Sequence, residues 1–163
     1  MVYFDIDGVL RDLCAAAGIS PVEWNCKIDG LSFIEYFSKR TDLLESAPWT
    51  EYFVPTAFYN NYIAPIELLS TQPTNWIQHT TLWVVKCFET FNIDPKITFT
   101  SDKYSVLNEG DLLIEDNPNL PNYDQLLLID RPYNRKIEKT HTRIYTPAQL
   151  IQEILRRHHG AEV

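Results

Sequence analysis

The chain has 163 residues, of which 45% are hydrophobic and 13% aromatic, and its 14 basic and 22 acidic side chains leave a net charge of −8. This length supports one domain with a buried core, and the composition excludes a disordered or collagen-like chain. An acidic surface repels phosphate backbones and anionic lipid, so we expect neither a nucleic-acid polymer nor a membrane as partner. A small phosphorylated ligand stays compatible, because a bound metal ion can reverse the local charge.

The sequence carries no signal for export or membrane insertion. Two acids stand within the first eight residues, where a secretory signal would have basic residues and a long apolar run. No stretch approaches the ~20 apolar residues of a membrane helix. The three cysteines fit no metal-ligand spacing, which favours free, buried thiols in a reducing compartment. We therefore expect a soluble, cytoplasmic protein.

Short apolar runs alternate with helical patterns along the chain. The first run, at residues 2–4, ends at the sequence Asp5-Ile6-Asp7-Gly8, and residues 12–64 are helical and aromatic in pattern. Four more runs predict strands, at residues 66–69, 97–99, 112–114 and 126–129. One helix should begin at Thr74 or Asn75, and another where Thr146 precedes Pro147. This alternation predicts an α/β fold with a mainly parallel sheet.

Polar side chains end or closely follow several of these strands. In a parallel sheet the carboxyl ends of the strands meet at one edge, where reactive groups collect. The residues expected there are Asp5, Ser70, Lys103, Glu115 and Asp116. Each alone has an ordinary explanation, as a helix cap, a surface lysine or the start of a turn. Their order and their shared position at strand ends indicate a functional site.

Asp5 and Asp7 are two residues apart at a strand end, so both carboxylates can face one cleft. Such a pair is costly unless a cation lies between the charges, and a hard, oxygen-ligated ion such as Mg²⁺ suits it. A solvated loop is the alternative. An EF-hand loop is excluded, because Leu10 and Ala16 stand where that motif needs glycine and glutamate.

Taken together, these segments resemble the haloacid dehalogenase (HAD) superfamily. Residues 2–10, Val-Tyr-Phe-Asp-Ile-Asp-Gly-Val-Leu, are similar to its first motif, and Ser70, Lys103 and Glu115-Asp116 stand where its later motifs do. Residues 101–103 and 110–118 are very similar to a block of the cytosolic-type 5′(3′)-deoxyribonucleotidases, and residues 130–134 resemble a later turn of that family. The helical segment matches only in length and aromatic character.

The resemblance implies a HAD-like, Rossmannoid three-layer sandwich, with a core at residues 1–11 and 65–163 and a helical cap at 12–64. It implies a Mg²⁺-dependent phosphatase in which Asp5 forms an aspartyl-phosphate and Asp7 moves protons. Ser70, Thr71 and Lys103 would bind the phosphoryl oxygens. The metal ligands implied are Asp5, the backbone carbonyl of Asp7 and Asp116, with Glu115 nearby.

Two positions depart from the family pattern. Glu115 stands where the family usually has aspartate, which bears on the metal geometry. Gln72 separates Ser70-Thr71 from Pro73, which bears on the shape of the phosphate loop. Neither departure removes a required functional group.

The resemblance implies (deoxy)nucleoside monophosphates as substrates, and a base needs a flat apolar slot. Trp49, Tyr52 and Phe53 follow Pro48, where the chain turns, so we expect them to face the cleft. Trp24, Phe33 and Phe37 are expected in the core. Two alternatives stay open: a phosphatase for another small ester such as a sugar phosphate, and a catalytically silent binding domain. Family members are often dimers, so a homodimer is an expectation that rests on the resemblance alone.

Overall fold

The computed structural model describes residues 1–121, 123–136 and 142–160. Its centre is a parallel sheet of six strands: β1 (Val2–Phe4), β2 (Ile66–Ser70), β3 (Lys96–Phe99), β4 (Leu112–Glu115), β5 (Leu126–Ile129) and β6 (Thr142–Ile144). The strands follow the order β3-β2-β1-β4-β5-β6. The chain therefore reverses direction across the sheet beside β1, which is where open α/β sheets form ligand crevices.

The five strands expected from apolar runs are present, and the α/β class with a parallel sheet is confirmed. The sixth strand, β6, was not predicted. It is three residues long and only its last residue, Ile144, is buried, so no apolar run marks it.

Six helices lie between or after these strands: α1 (Leu13–Ala16), α2 (Phe33–Lys39), α3 (Thr41–Ser46), α4 (Phe53–Tyr62), α5 (Ile77–Glu89) and α6 (Pro147–His158), among the described residues. The Thr146 cap of α6 is confirmed, since its side chain accepts from the Gln149 backbone N–H. The cap expected at Thr74 or Asn75 is wrong. Those two residues lie in a single 3₁₀ turn, and α5 begins after it with no side-chain cap.

Two faces of the sheet are covered differently. The alternating side chains of β1 show this: Val2 and Phe4 lie in the main core with α4, α5 and α6, whereas Tyr3 points to the other face. Among the described residues, Val106, Leu107 and Leu120, from the connections on either side of β4, pack on this second face. Connecting segments therefore form the layer described there.

The segment between β1 and β2 divides between two hydrophobic clusters. Helices α1–α3 contribute to a cluster of their own around Phe37 and Leu44, which Trp76 joins. Helix α4 instead packs in the main core through Phe53, Ala57 and Tyr59. The proposed division into a core (1–11 and 65–163) and a cap (12–64) stays a prediction.

No helix within the described residues is long and apolar enough to cross a membrane.

Candidate active site

Strands β1 and β4 lie side by side and bring the predicted acidic residues together. Their register pairs Phe4 with Ile114, and the Asp5 backbone N–H donates to the Ile114 carbonyl at 2.9 Å. Asp5 therefore follows β1 at the same level at which Glu115 ends β4 and Asp116 follows it. Sheet register, rather than any local motif, sets the separation of these three carboxylates.

Asp5, Glu115 and Asp116 form a buried carboxylate cluster, with one oxygen of each within 4.8 Å of the others. Lys103 is also buried; its Nζ lies 3.0 Å from Asp5 Oδ1 and bonds to Glu115 Oε1. Three carboxylates thus face a single ammonium group. Like charges at this separation are unfavourable without a further cation.

This excess of negative charge changes the ionisation of the cluster. Burial and the Glu115 carboxylate raise the pKa of Asp5 to about 7, against the opposing effect of Lys103. Burial, Glu115 and Asp5 likewise raise the pKa of Asp116 well above its ordinary value. Burial alone would lower the pKa of Lys103, but the Asp5 and Glu115 carboxylates outweigh it, and the pKa of the lysine is raised.

The cluster fits a hard divalent cation. Asp5 Oδ1 is buried, and its ion pair with Lys103 does not meet hydrogen-bond geometry, so this oxygen can also bind an ion beside the two neighbouring carboxylates. Carboxylate oxygens are the ligands that Mg²⁺ prefers, and a divalent charge would balance the surplus anions. The donor set therefore suits Mg²⁺.

Glu115 and Asp116 differ in what their oxygens already do. Glu115 Oε2 accepts the backbone N–H groups of Asp116 and Asn117, each at 2.8 Å, while Oε1 holds Lys103. Both of its oxygens are thus committed to protein donors. The Tyr133 hydroxyl donates to Asp116 Oδ2. Asp116 Oδ1 accepts no hydrogen bond from the described residues and is therefore available to a metal ion.

Gly8 allows the loop between β1 and α1 (residues 5–12, the first loop) to approach Asp116 closely. Its φ is +76°, and a Cβ at this position would lie 1.9 Å from Asp116 Oδ2 and 2.6 Å from the Tyr133 hydroxyl. Any other residue would strain the backbone at this φ and would force the Asp116 or Tyr133 side chain to move. Glycine at this position is therefore a requirement of the site and not only of the turn.

Asp7 faces a different set of partners from Asp5. Arg11 donates to it twice, from Nε to Oδ1 at 2.6 Å and from Nη2 to Oδ2 at 3.1 Å. Gln72 Nε2 donates to Oδ2 at 2.7 Å. The two aspartates of the first motif are therefore held by separate networks.

A cavity of about 960 Å³ opens over both aspartates and extends towards the loop between α1 and α2. Four aromatic rings contribute to its wall, from Trp24, Phe33, Trp76 and Tyr133. The rings of Trp24 and Tyr133 lie against each other, with centroids 5.7 Å apart and planes inclined by 52°. The Tyr133 hydroxyl reaches Asp116, so this aromatic wall adjoins the carboxylate cluster.

The structure brings most of the predicted site residues to this cavity. Its lining includes Asp5, Asp7, Thr71, Lys103, Glu115 and Asp116. The Thr71 hydroxyl donates to the Thr100 carbonyl at 2.7 Å. Ser70 is buried behind the lining, and its Oγ accepts from Gln72 Nε2 at 2.9 Å.

The three aromatic residues expected to face the cleft do not line it. Phe53 and Tyr52 are fully buried in the main core, because α4 packs onto the sheet rather than over the carboxylates. Trp49 is 44% exposed but stacks on Phe53, with centroids 4.9 Å apart and an interplanar angle of 8°. Of the three residues expected in the core, Phe37 is fully buried and Phe33 packs against its cluster. Phe33 and Trp24 are nevertheless the aromatic residues from this segment that line the cavity.

Several residues of the site were missed by sequence reasoning. Arg131 donates from Nε to the Gly8 carbonyl at 2.7 Å and from Nη1 to Glu51 at 2.8 Å, and so ties the first loop to the segment before α4. Arg11 directly follows the apolar pair Val9-Leu10, and a basic residue in a buried run signals a buried partner. Tyr133 carried no signal apart from its place in the block at residues 130–134.

No family model and no curated protein matches the sequence. Among solved structures, a HAD family hydrolase from Deinococcus radiodurans R1, crystallised with bound phosphate and sodium, is similar over 96% of this chain and 95% of its own. The TM-score is 0.59 and the sequence identity 13%. At this identity the likeness establishes the fold alone: the chain has a HAD-like α/β fold.

Proposed function

We propose that this protein is a Mg²⁺-dependent phosphatase of the HAD type that hydrolyses nucleoside monophosphates, deoxyribonucleotides among them. The observation that carries the proposal is the buried cluster of Asp5, Glu115, Asp116 and Lys103 at the carboxyl edge of the sheet. A phosphate monoester repels nucleophiles, so its hydrolysis needs a nucleophile shielded by positive charge, and a carboxylate can serve as that nucleophile. This cluster offers both.

In the proposed reaction the Asp5 carboxylate attacks phosphorus, forming a phosphorus–oxygen bond while the bond to the nucleoside oxygen breaks. Asp7 gives a proton to that leaving oxygen. Asp7 then takes a proton from water, whose oxygen attacks phosphorus and breaks the bond to Asp5. The products are nucleoside and phosphate, and both aspartates return to their initial state.

The Lys103 ammonium and two hydroxyl groups beside Asp5 would hold the phosphoryl oxygens. The Lys103 ammonium is 3.0 Å from Asp5 Oδ1, and the Thr71 side chain faces the same cavity. Ser70 lies directly behind Thr71 and would complete this set from the end of β2. Asp5, Asp116 and the Asp7 backbone carbonyl would hold the Mg²⁺, with Glu115 beside it. When bound, the ion supplies positive charge that lowers the repulsion between carboxylate and phosphate.

The aromatic wall supports a substrate with a flat ring. Trp24 lies against Tyr133, and Tyr133 adjoins Asp116, so a phosphate at Asp5 would leave the rest of a nucleotide beside these rings. Stacking of one base on an aromatic side chain is worth ~1–3 kcal/mol. A sugar phosphate has no planar ring to stack, so these rings favour a nucleotide over it.

A phosphate-release screen over nucleotides and sugar phosphates, with Mg²⁺ or with a chelator, tests the activity. We expect hydrolysis of nucleoside monophosphates that vanishes with the chelator. A preference for sugar phosphates would support the phosphatase activity but contradict nucleotides as the substrate. Tight binding without release would instead favour a silent binding domain.

Replacing Trp24 tests the aromatic wall, and Trp49 offers a matched control. We expect Trp24→Ala to raise KM for a deoxynucleoside monophosphate about tenfold or more, from the loss of stacking. Trp49→Ala removes the same side chain outside the cavity and should leave KM unchanged. Equal effects of the two substitutions would contradict a base site at Trp24.

A further inference from the structure

The side chains of Asp7, Arg11, Thr80 and Gln72 form a closed ring of hydrogen bonds. Arg11 Nη2 donates to Asp7 Oδ2 and also to Thr80 Oγ1 at 2.9 Å. Thr80 Oγ1 donates to Gln72 Oε1 at 3.1 Å, and Gln72 Nε2 donates back to Asp7 Oδ2. The ring joins the first loop, α5 and the segment after β2, so three separate parts of the chain meet at one carboxylate.

The donor and acceptor roles in the ring are mutually determined. Thr80 accepts from Arg11, which always donates, so its single hydroxyl proton is left for Gln72 Oε1. The Gln72 amide nitrogen must then point towards Asp7 and Ser70. With Asp7 ionised, this arrangement gives every donor in the ring an acceptor.

Arg11 is an unusual member of this ring because its charged side chain is buried. It is completely buried, and besides Asp7 and Thr80 it binds the Leu44 carbonyl at 2.8 Å and lies 5.5 Å from the centre of the Trp83 ring. A buried arginine is costly unless its donors are satisfied, so its position is tightly determined. Its planar fork transmits that position to both oxygens of Asp7.

We propose that Arg11, Thr80 and Gln72 are positioning residues that hold the Asp7 carboxylate in the orientation needed for proton transfer. This inference rests on the proposed role of Asp7 and adds residues to which neither that role nor the family resemblance assigns a function. It accounts for Gln72, the residue that separates Ser70-Thr71 from Pro73. Its side chain turns back to fill the gap between Asp7 and Thr80.

Gln72→Met tests the ring, and Gln149→Met is the matched control. Both glutamines are half-buried and make two side-chain hydrogen bonds or more, but Gln149 lies at the start of α6, away from the cavity. We expect Gln72→Met to lower kcat for a nucleoside monophosphate about tenfold with KM within about twofold, because misplacing a proton donor slows chemistry without weakening binding. Gln149→Met should change neither constant.

A substrate with a good leaving group separates positioning from general damage. The 4-nitrophenolate group needs no proton as it departs, so kcat for 4-nitrophenyl phosphate should fall less than about threefold in Gln72→Met. Arg11→Lys keeps the charge but loses the two parallel bonds, and should show the same selectivity. Equal losses on both substrates, a change confined to KM, or an unchanged kcat would each overturn the proposal.

A measurement without turnover decides the ring even if the protein hydrolyses nothing. We expect Gln72→Met to lower the melting temperature by about 3 °C in the parent and by about 2 °C in an Asp7→Asn background, where the charge-assisted bond to Asp7 is already lost but the bonds to Ser70 and Thr80 remain. Equal costs in both backgrounds would overturn the ring itself. Absence of any phosphatase activity in the parent would remove the proposed function, and with it the catalytic purpose of the ring, while this cycle still shows whether the ring exists.

Discussion

The two aspartates of the first loop are only two residues apart, yet they occupy opposite electrostatic settings. Asp5 shares its surroundings with Glu115 and Asp116, and the single ammonium of Lys103 faces all three. Asp7 is matched one to one by the buried guanidinium of Arg11. The first setting is overcharged, whereas the second is balanced by the protein itself.

This difference follows from where each side chain points. Ile6 between them is fully buried; Asp5 lies at the end of the sheet, whereas Asp7 pairs with Arg11, which also donates to Thr80 of α5. A short acidic motif can thus combine a site that needs an added cation with one that needs none. The experiments below separate the two halves.

Asp5→Asn should give the largest effect. A neutral amide cannot form the phosphorylated intermediate, so turnover should fall by about 10⁴-fold or more, judged by phosphate release. The same change removes one of the crowded buried anions, so the melting temperature without metal should hold or rise. Retained turnover would exclude Asp5 as nucleophile, and a lower melting temperature would contradict the overcharged setting.

Gly8→Ala tests the close contact between Gly8 and Asp116 in the carboxylate cluster. A Cβ there would overlap Asp116 Oδ2, so Asp116 must move, and we expect turnover to fall about 100-fold together with a lower melting temperature. Gly110→Ala is the control, because its φ of +83° is similar but nothing lies within 4 Å of the added atom. It should cost about 1 kcal/mol of stability through backbone strain and leave turnover intact. Equal losses in both variants would mean that strain alone acts at Gly8.

The neighbours of Asp5 could be predicted from the sequence better than those of Asp7. Strand ends are visible as apolar runs that stop at polar residues, and parallel pairing then brings Asp5 and Asp116 together without further information. Gln72 and Arg11 meet Asp7 only because α5 packs beside the first loop, and no local pattern encodes that contact. The aromatic residues predicted to face the cleft were wrong for the same reason. Phe53 and Trp24 are both aromatic residues in a helical segment, and only tertiary packing decides which one reaches the cavity.

Mg²⁺ should stabilise the protein through the Asp5 half alone. At about 100 times its dissociation constant a ligand adds about 2.7 kcal/mol, which corresponds to a rise of roughly 5–10 °C in the melting temperature. We expect Asp116→Ala to reduce this rise more than Glu115→Gln, because both Glu115 oxygens are already engaged by Lys103 and backbone N–H groups. The reverse order would place Glu115 in direct contact with the ion.

The smallest effects concern pH in metal-free protein, where Asp5 can be compared with a surface carboxylate of opposite behaviour. Because the pKa of Asp5 is raised from 3.8 to about 7, the folded protein keeps a proton between about pH 4 and 7 that the unfolded chain releases, so stability should fall as the pH rises through this window. In Glu153 the hydrogen bond from Arg156, aided by Arg157, lowers the pKa from 4.5 to about 2. Its contribution is therefore present above pH 4.5 and is lost as the pH falls towards 2.

Melting curves in a chelator at pH 5 and pH 7 separate these two carboxylates. The parent should melt about 3 °C lower at pH 7 than at pH 5, and Asp5→Asn should remove about half of that difference, because Asp116, whose pKa is also raised, still keeps its proton in the folded protein. Glu153→Gln should instead lower both melting temperatures by the same amount, about 1–2 °C, because its partly exposed pairs contribute equally at both pH values. A parent that melts higher at pH 7 than at pH 5 would show that the Asp5 cluster is not overcharged. The contrast between the two aspartates would then disappear, since Lys103 alone would be enough to balance its carboxylates.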